Sequence, residues 1–164
     1  GSDDSFTNNY IENINKYVDN YDIVGLRNWK VSDIENKDSY LFEYIHPIIK
    51  NNWGGVNSVY RKTFNTKEVG FNVNKIKKFP FSIGAGRSLG YKLLNRINWQ
   101  VYPNKVDSLL DTISLFKLLM LNNASFITLK TTDFFIISIK KSDKNVINTL
   151  HDLKISKNIS YSIL

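Results

Sequence analysis

The apolar residues change their period several times along the chain, and that switching constrains the fold more than any other feature. From Ser5 to Asn20, Phe6, Tyr10, Ile14, Tyr17 and Val18 recur at three- and four-residue spacing and run on to Tyr21, which predicts an amphipathic helix with Ser5 as N-cap. Tyr21–Leu26 and Trp29–Ile34 then carry β-branched and aromatic residues around the polar break Arg27-Asn28, the pattern of a short hairpin. Leu41, Tyr44, Ile45, Ile48 and Ile49 return to helical spacing, predicting a second helix capped at Asp38 or Ser39 and running to about Asn51, kinked at Pro47. Val56–Phe64 and Val69–Val73 form the next expected strand pair, and a short helix from Asn74 stops before Pro80.

The second half follows a similar order. Asn104–Leu121 has helical spacing, Ser125–Lys130 and Phe134–Lys140 flank the turn Thr131-Thr132-Asp133 as a hairpin, and Ser142 or Asp143 caps a helix bearing Val146, Ile147, Leu150 and Leu153. A last strand is expected near Ile159–Ile163. The halves also share landmarks. Trp29-Lys30-Val31 and Trp99-Gln100-Val101 each precede an expected core helix, the helices begin Asp38-Ser39 and Asp107-Ser108, and they end Asn51-Asn52 and Asn122-Asn123. The expectation is an α+β fold of two pseudo-repeats, residues 5–82 and 83–164, packed as one compact unit. Each half has the order helix, two strands, helix, two strands, helix, and both tryptophans are core residues. A length of 164 residues suits that division.

Composition narrows the chemistry. There is no cysteine, which removes disulfides, zinc fingers and thiol nucleophiles, and only two histidines remain for metal or acid–base work. No apolar run approaches the roughly 18–20 residues of a spanning helix. Gly1-Ser2 reads as an expression scar, no targeting segment is recognisable, and the compartment is left open. The net charge of +7 is unevenly spread: residues 1–53 hold five Lys/Arg against nine Asp/Glu, and the remainder seventeen against six. From Arg61 to Lys105 ten basic residues face one acid, Glu68, a footprint suited to a polyanion.

The stretch Asp38–Ile45, Trp53-Gly54-Gly55-Val56, Tyr60-Arg61-Lys62, Gly70–Val73 and Phe79-Pro80-Phe81 resembles the LAGLIDADG homing endonucleases and intron maturases, as does the doubled element order. The family's signature corresponds to Asn15–Asp22, where Tyr17, Val18 and Asp19 match. Lys16 stands where the family has a helix-contact glycine, and Tyr21 where a metal-binding acid is expected. Ser88–Asn95 in the second half has a glycine and no acid. A two-metal phosphodiester site needs carboxylates, so the resemblance implies a scaffold without the nuclease chemistry and without metal or cofactor. The glycine-bearing run Phe81–Gly90 lacks the Gly-Lys-Ser/Thr ending of a Walker loop. It is similar to a glycine loop of Cas6-like RNA-processing proteins, and it reads as a linker or as a backbone–phosphate contact beside Arg87.

The expected function is therefore a non-catalytic nucleic-acid-binding domain, for DNA or RNA, using Arg61, Lys62, Lys67, Lys75, Lys77, Lys78, Arg87, Lys92 and Arg96 on a basic sheet and loop surface. Tyr21, Trp29, Trp53, Tyr60, Tyr91, Trp99 and Tyr102 read mainly as core and sheet fillers, with a minority free to stack on bases. Two alternatives stand beside it. One is a PH-like protein-interaction module cut from a larger chain, its last helix closing the 125–140 hairpin. The other is a metal-independent ribonuclease using His46 or His151, although neither histidine has a serine–acid or metal-ligand spacing. Asp107 and Asp111, four apart, read as a helix-start acid and its neighbour rather than as a catalytic pair.

Overall fold

In Asn28-Trp29-Lys30-Val31-Ser32-Asp33 buried and half-buried side chains alternate beyond Asn28, the period of a strand with one face against a core. The computed structural model describes residues 4–45, 48–49, 79–80, 82, 86–102, 114–115, 117–119, 122–140, 150–156 and 159–164. In chain order the elements are β1 (Asp4–Phe6), α1 (Tyr10–Val18), β2 (Ile23–Leu26), β3 (Asn28–Asp33), β4 (Ser39–Tyr44), β5 (Ile48–Ile49), β6 (Phe79–Pro80), β7 (Ser88–Leu89), α2 (Tyr91–Arg96), β8 (Phe126–Leu129), β9 (Ile136–Lys140), α3 (Leu150–Ile155) and β10 (Ile159–Ile163). Residues 114–115 and 117–119 are also helical.

The α+β class is as expected, but several elements pair differently. A five-stranded sheet has the order β1-β9-β3-β4-β10 and a three-stranded sheet the order β7-β2-β8, while β5 and β6 form a short ribbon. Neither expected hairpin exists. Strand β2 runs parallel to β8, with Ile23 opposite Phe126, and β3 runs parallel to β9, with Lys30 opposite Ile137. A single residue, Arg27, separates β2 from β3, too short a link for a two-residue hairpin turn, so the chain passes from one sheet into the other. Both sheets draw strands from residues 5–82 and from 83–164, so the pairing interleaves the two stretches, and the pseudo-repeat is not confirmed.

Two helix expectations are also corrected. Ser5 is not a cap but lies in β1, and α1 begins only at Tyr10, after Thr7 has hydrogen-bonded with Phe135 through Thr7 N–H to Phe135 O (3.1 Å) and Phe135 N–H to Thr7 Oγ1 (3.1 Å). Residues 39–44 of the expected helix 38–51 form β4, with Tyr40 and Phe42 buried opposite Val31 and Trp29. The Asp33 carboxylate closes the β3–β4 turn by accepting from the Glu35 and Asn36 backbone N–H groups (3.0 and 3.3 Å) and from the Asn36 side chain (2.7 Å). Parts of the expected helices 104–121 and from Ser142 or Asp143 are present, at 114–115 and 117–119 and as α3, and β10 falls where it was expected. The strands expected within 56–73 and the helix from Asn74 lie outside the described residues.

Register sets Trp29, Val31, Tyr40, Phe42 and Ile136 on one face of the larger sheet, where Tyr10 and Ile14 of α1 and Leu150 of α3 join them in the main core. Each such large apolar side chain contributes about 1.5–3 kcal/mol by leaving water. All four residues of β2 are buried, as expected of a central strand covered on both faces. Val24 and Leu26 belong to the main core, while Ile23 and Gly25 share a narrow space with Ser82 and Leu115. A Cβ on Gly25 would come within 2.5 Å of Ser82 Cβ, so glycine is required for that approach.

The junction of the sheets is held by polar groups. The buried Asn28 carboxamide donates to Thr131 O (2.6 Å) and accepts from Thr131 N–H (3.1 Å), replacing a strand pairing where the β8–β9 connection loops out. Beside it, Glu43 takes Arg27 and Lys130 on its two oxygens, each at 2.8 Å.

Candidate nucleic-acid interface

Of the nine basic residues expected to bind nucleic acid, Arg61, Lys62, Lys67, Lys75, Lys77 and Lys78 lie outside the described residues, and Arg87, Lys92 and Arg96 lie within them. The last two belong to α2. This helix forms because Leu93 and Ile97, four apart, turn one side into the protein, and Gly90 starts it in an extended conformation. Gly90 N–H donates to Asp22 O (2.8 Å), fixing the helix start to the segment before β2.

The far end of the helix is tied to the same aspartate. Asp22 Oδ2 accepts from Arg96 Nη2 (3.1 Å), Ser125 N–H (3.0 Å) and Ser125 Oγ (3.3 Å). Burial alone would raise the Asp22 carboxyl, but the Ser125 and Arg96 donors outweigh it and hold the group below the usual carboxylate range. Arg96 is thus partly committed to the fold while remaining half exposed.

Successive helical residues are turned by about 100°, so Tyr91, Asn95, Lys92 and Arg96 follow one another around an arc of α2, and all four are exposed. Lys92 has no partner among the described residues. Beyond the helix, Asn98 (φ 49°) and Trp99 (φ 60°) both adopt left-handed backbone, and Trp99 N–H closes back on Leu94 O at 2.8 Å. Left-handed backbone is ordinary for asparagine but strained for tryptophan, costing about 1–2 kcal/mol. The indole it carries is 61% exposed and meets the 69% exposed Tyr91 ring edge-on, at 6.1 Å between centroids. Tyr102, 55% exposed, follows shortly after.

These positions correct the expectation that Trp99 is a core residue. The sequence offered one usable sign, an asparagine directly before the tryptophan at a helix end, where left-handed residues are common. Trp29, by contrast, is 5% exposed, as expected, and Tyr21 packs against the main core. Arg87 is half buried, with Nε 3.4 Å from Ser82 Oγ. Gly86 beside it has φ +74° and lies so close to Ile136 and the Tyr10 hydroxyl that no Cβ fits, and the Tyr10 hydroxyl donates to Gly86 O. That part of the glycine run is therefore packed structure.

Other candidate residues do not assemble. Asp19 caps the C-terminus of α1 as an exposed side chain, His151 is exposed on α3, and His46, Asp107 and Asp111 lie outside the described residues. Among the described residues no three His, Cys, Asp or Glu come together as a metal-binding set, and no helix is long and apolar enough to cross a membrane. One groove of about 520 Å³ runs between α1 and the β8–β9 connection, lined by Lys16, Tyr17, Lys130 and Thr132 among others. Its two ammonium groups are engaged, Lys16 by Asn13 Oδ1 (2.9 Å) and Lys130 by Glu43 (2.8 Å). No protein-family model, curated protein or solved structure matches the chain.

Proposed function

We propose that the chain is a non-catalytic nucleic-acid-binding domain that receives an unstacked single strand of RNA or DNA on α2 and the turn behind it. The observation that carries this reading is the Tyr91–Trp99 ring pair, exposed beside Lys92 and Arg96 on the arc of one helix. Bases stack on open aromatic faces for about 1–3 kcal/mol each, and neighbouring cations take the phosphates. The location of this surface inside the basic stretch Arg61–Lys105 of the sequence supports it further, because a concentration of cations favours a polyanionic partner. Strain concentrated at an exposed tryptophan is also what a binding position tolerates and a purely structural one does not need. Any kinship to the LAGLIDADG proteins lies on this reading in scaffold alone, without magnesium-dependent cleavage.

The test is a salt-titrated binding series with single-stranded RNA, single-stranded DNA and duplex DNA. Contact with about four to six phosphates of a single strand gives a slope of log affinity against log salt near −3 to −4, and Lys92→Ala reduces it by about 0.7. Trp99→Ala and Tyr91→Ala each weaken single-strand binding by about 5- to 150-fold. Arg61→Ala with Lys62→Ala weakens all sequences alike, since phosphate contacts position without specifying. Single-strand binding that is undetectable at low salt, or indifferent to Trp99 and Tyr91, overturns the reading. Magnesium-dependent nicking abolished by Asp19→Asn overturns its non-catalytic part.

A further inference from the structure

Strand β10 is an edge of the larger sheet, paired on one side with β4. Leu164 N–H donates to Ser39 O at 2.9 Å, with these residues directly opposite in the β4–β10 register, so Ser160 and Ser162 turn their backbone groups toward β4 in the same way. Tyr161 and Ile163 therefore direct their N–H and C=O groups outward, and among the described residues no element covers them. The strand carries none of the usual protections of an edge, having no charge, no proline and no bulge between Ile159 and Ile163. Ile163 is 71% exposed, and Tyr161 and Ile155, on the helix that packs against this strand, are exposed as well.

The sequence of the edge specifies what fits it. Ile159-Ser160-Tyr161-Ser162-Ile163 reads identically in both directions. An antiparallel copy placed about a twofold axis at Tyr161 sets Tyr161 against Tyr161, Ile159 against Ile163 and Ser160 against Ser162. Tyr161 is then in a hydrogen-bonded pair, exchanging both backbone bonds with its counterpart, as its outward groups require. Like faces meet like: the isoleucines and tyrosines of both copies continue the face that Tyr40 and Phe42 share with Tyr161, and the serines share the other. Such a contact is self-complementary and closes after two copies.

We infer that the chain associates with a second copy of itself through antiparallel β10–β10 pairing, which extends the larger sheet across the dimer. Sedimentation equilibrium tests it with substitutions on the exposed serine face, away from the core. Ser160→Lys with Ser162→Lys sets lysines directly opposite lysines across the axis, and Ser160→Glu with Ser162→Glu does the same with glutamates. The wild-type chain is expected to form dimers in the micromolar range, each doubly substituted chain to be monomeric with unchanged circular dichroism, and an equal mixture of the two to dimerise again. Recovery on mixing requires both variants to be folded, so it separates lost pairing from lost structure. A wild-type chain that stays monomeric to about 100 µM, doubly substituted chains that dimerise alone, or a mixture that stays monomeric overturns the inference.

Discussion

Asn28-Trp29-Lys30-Val31 and Asn98-Trp99-Gln100-Val101 differ at one residue in four, yet one lies at the centre of the fold and the other on its surface. Trp29 is 5% exposed, its ring stacked on Phe42 at 5.7 Å and tilted against Tyr44 at 5.3 Å, and Asn28 beside it spends its carboxamide on Thr131. Trp99 is 61% exposed on left-handed backbone, and Asn98 is exposed with it. What separates them is the company each tetrapeptide finds. The first lies between β4 and β9 and can satisfy its backbone as a strand, whereas the second follows a short helix and serves to end it. An indole contributes most stability where other side chains exclude water around it.

The largest expected effect follows from that difference. Trp29→Ala should cost about 3–5 kcal/mol in chemical denaturation, because it empties a packed aromatic site, while Trp99→Ala should cost less than about 1 kcal/mol. Equal losses would show that the two tetrapeptides are alike after all. Next comes the preceding asparagine. Asn28→Ala leaves the Thr131 N–H and C=O unpaired where water is scarce, at a cost of about 1–3 kcal/mol, and Asn98→Gly should be neutral or stabilising by a few tenths because glycine accepts positive φ freely. An Asn28→Ala chain as stable as the wild type would remove the carboxamide clip from the account of how the sheets join.

Acid should distinguish the two regions less sharply. Asp33, ending the Trp29 strand, is held below the usual carboxylate range by the Asn36 side chain, against the opposing effect of burial and with help from the Asn36 and Glu35 backbone N–H groups and Lys154. Asp22, which anchors the helix before Trp99, is also lowered, its burial outweighed by Ser125 and Arg96. A depressed folded-state pKa means stability that is complete above the unfolded value, near 3.9, and is lost as pH falls through the folded one. Urea midpoints should therefore drop from about pH 4 downward. Asp33→Asn and Asp22→Asn should each flatten that drop while lowering stability at pH 7, the first by more because Asp33 is the more buried. An unaltered acid limb in both variants would rule these carboxylates out as its source.

Much of the fold was legible as elements and little of it as partners. The strands 23–26, 28–33, 126–129, 136–140 and 159–163 stand in the sequence as β-branched and aromatic runs, but the parallel β2–β8 and β3–β9 pairings join residues more than a hundred positions apart, and periodicity carries no information at that range. Proximity in sequence instead suggested two hairpins. Residues 39–44 satisfied both periods at once, Leu41 and Tyr44 with the helical one and Tyr40, Phe42 and Tyr44 with the alternating one, and the aromatic neighbours Trp29 and Tyr161 decide for the strand. In the candidate interface the cations Lys92 and Arg96 were visible in the charge run. The aromatic half was only partly visible: Tyr91 and Trp99 stood among aromatics read mainly as core, a minority free to stack on bases, and the Asn98-Trp99 helix end was the sign that singled out Trp99.

Trp99→Gly combines a small net change in stability with the most discriminating outcome. Glycine at φ 60° relieves about 1–2 kcal/mol of backbone strain. Against this, the edge-on contact with Tyr91 is lost, worth about 0.5–1.5 kcal/mol, and the unfolded chain gains freedom at about 0.5–1 kcal/mol. The terms nearly cancel, so the unfolding free energy measured in urea should change by no more than about 1.5 kcal/mol in either direction. A structural tryptophan would behave otherwise and take stability with it, as Trp29 should. If the indole is kept exposed and strained in order to stack on bases, Trp99→Gly should leave folding intact and lower single-strand affinity about 5- to 150-fold, with Trp99→Phe restoring most of it. Loss of stability without loss of binding would assign Trp99 to the fold and leave the basic stretch without its aromatic platform.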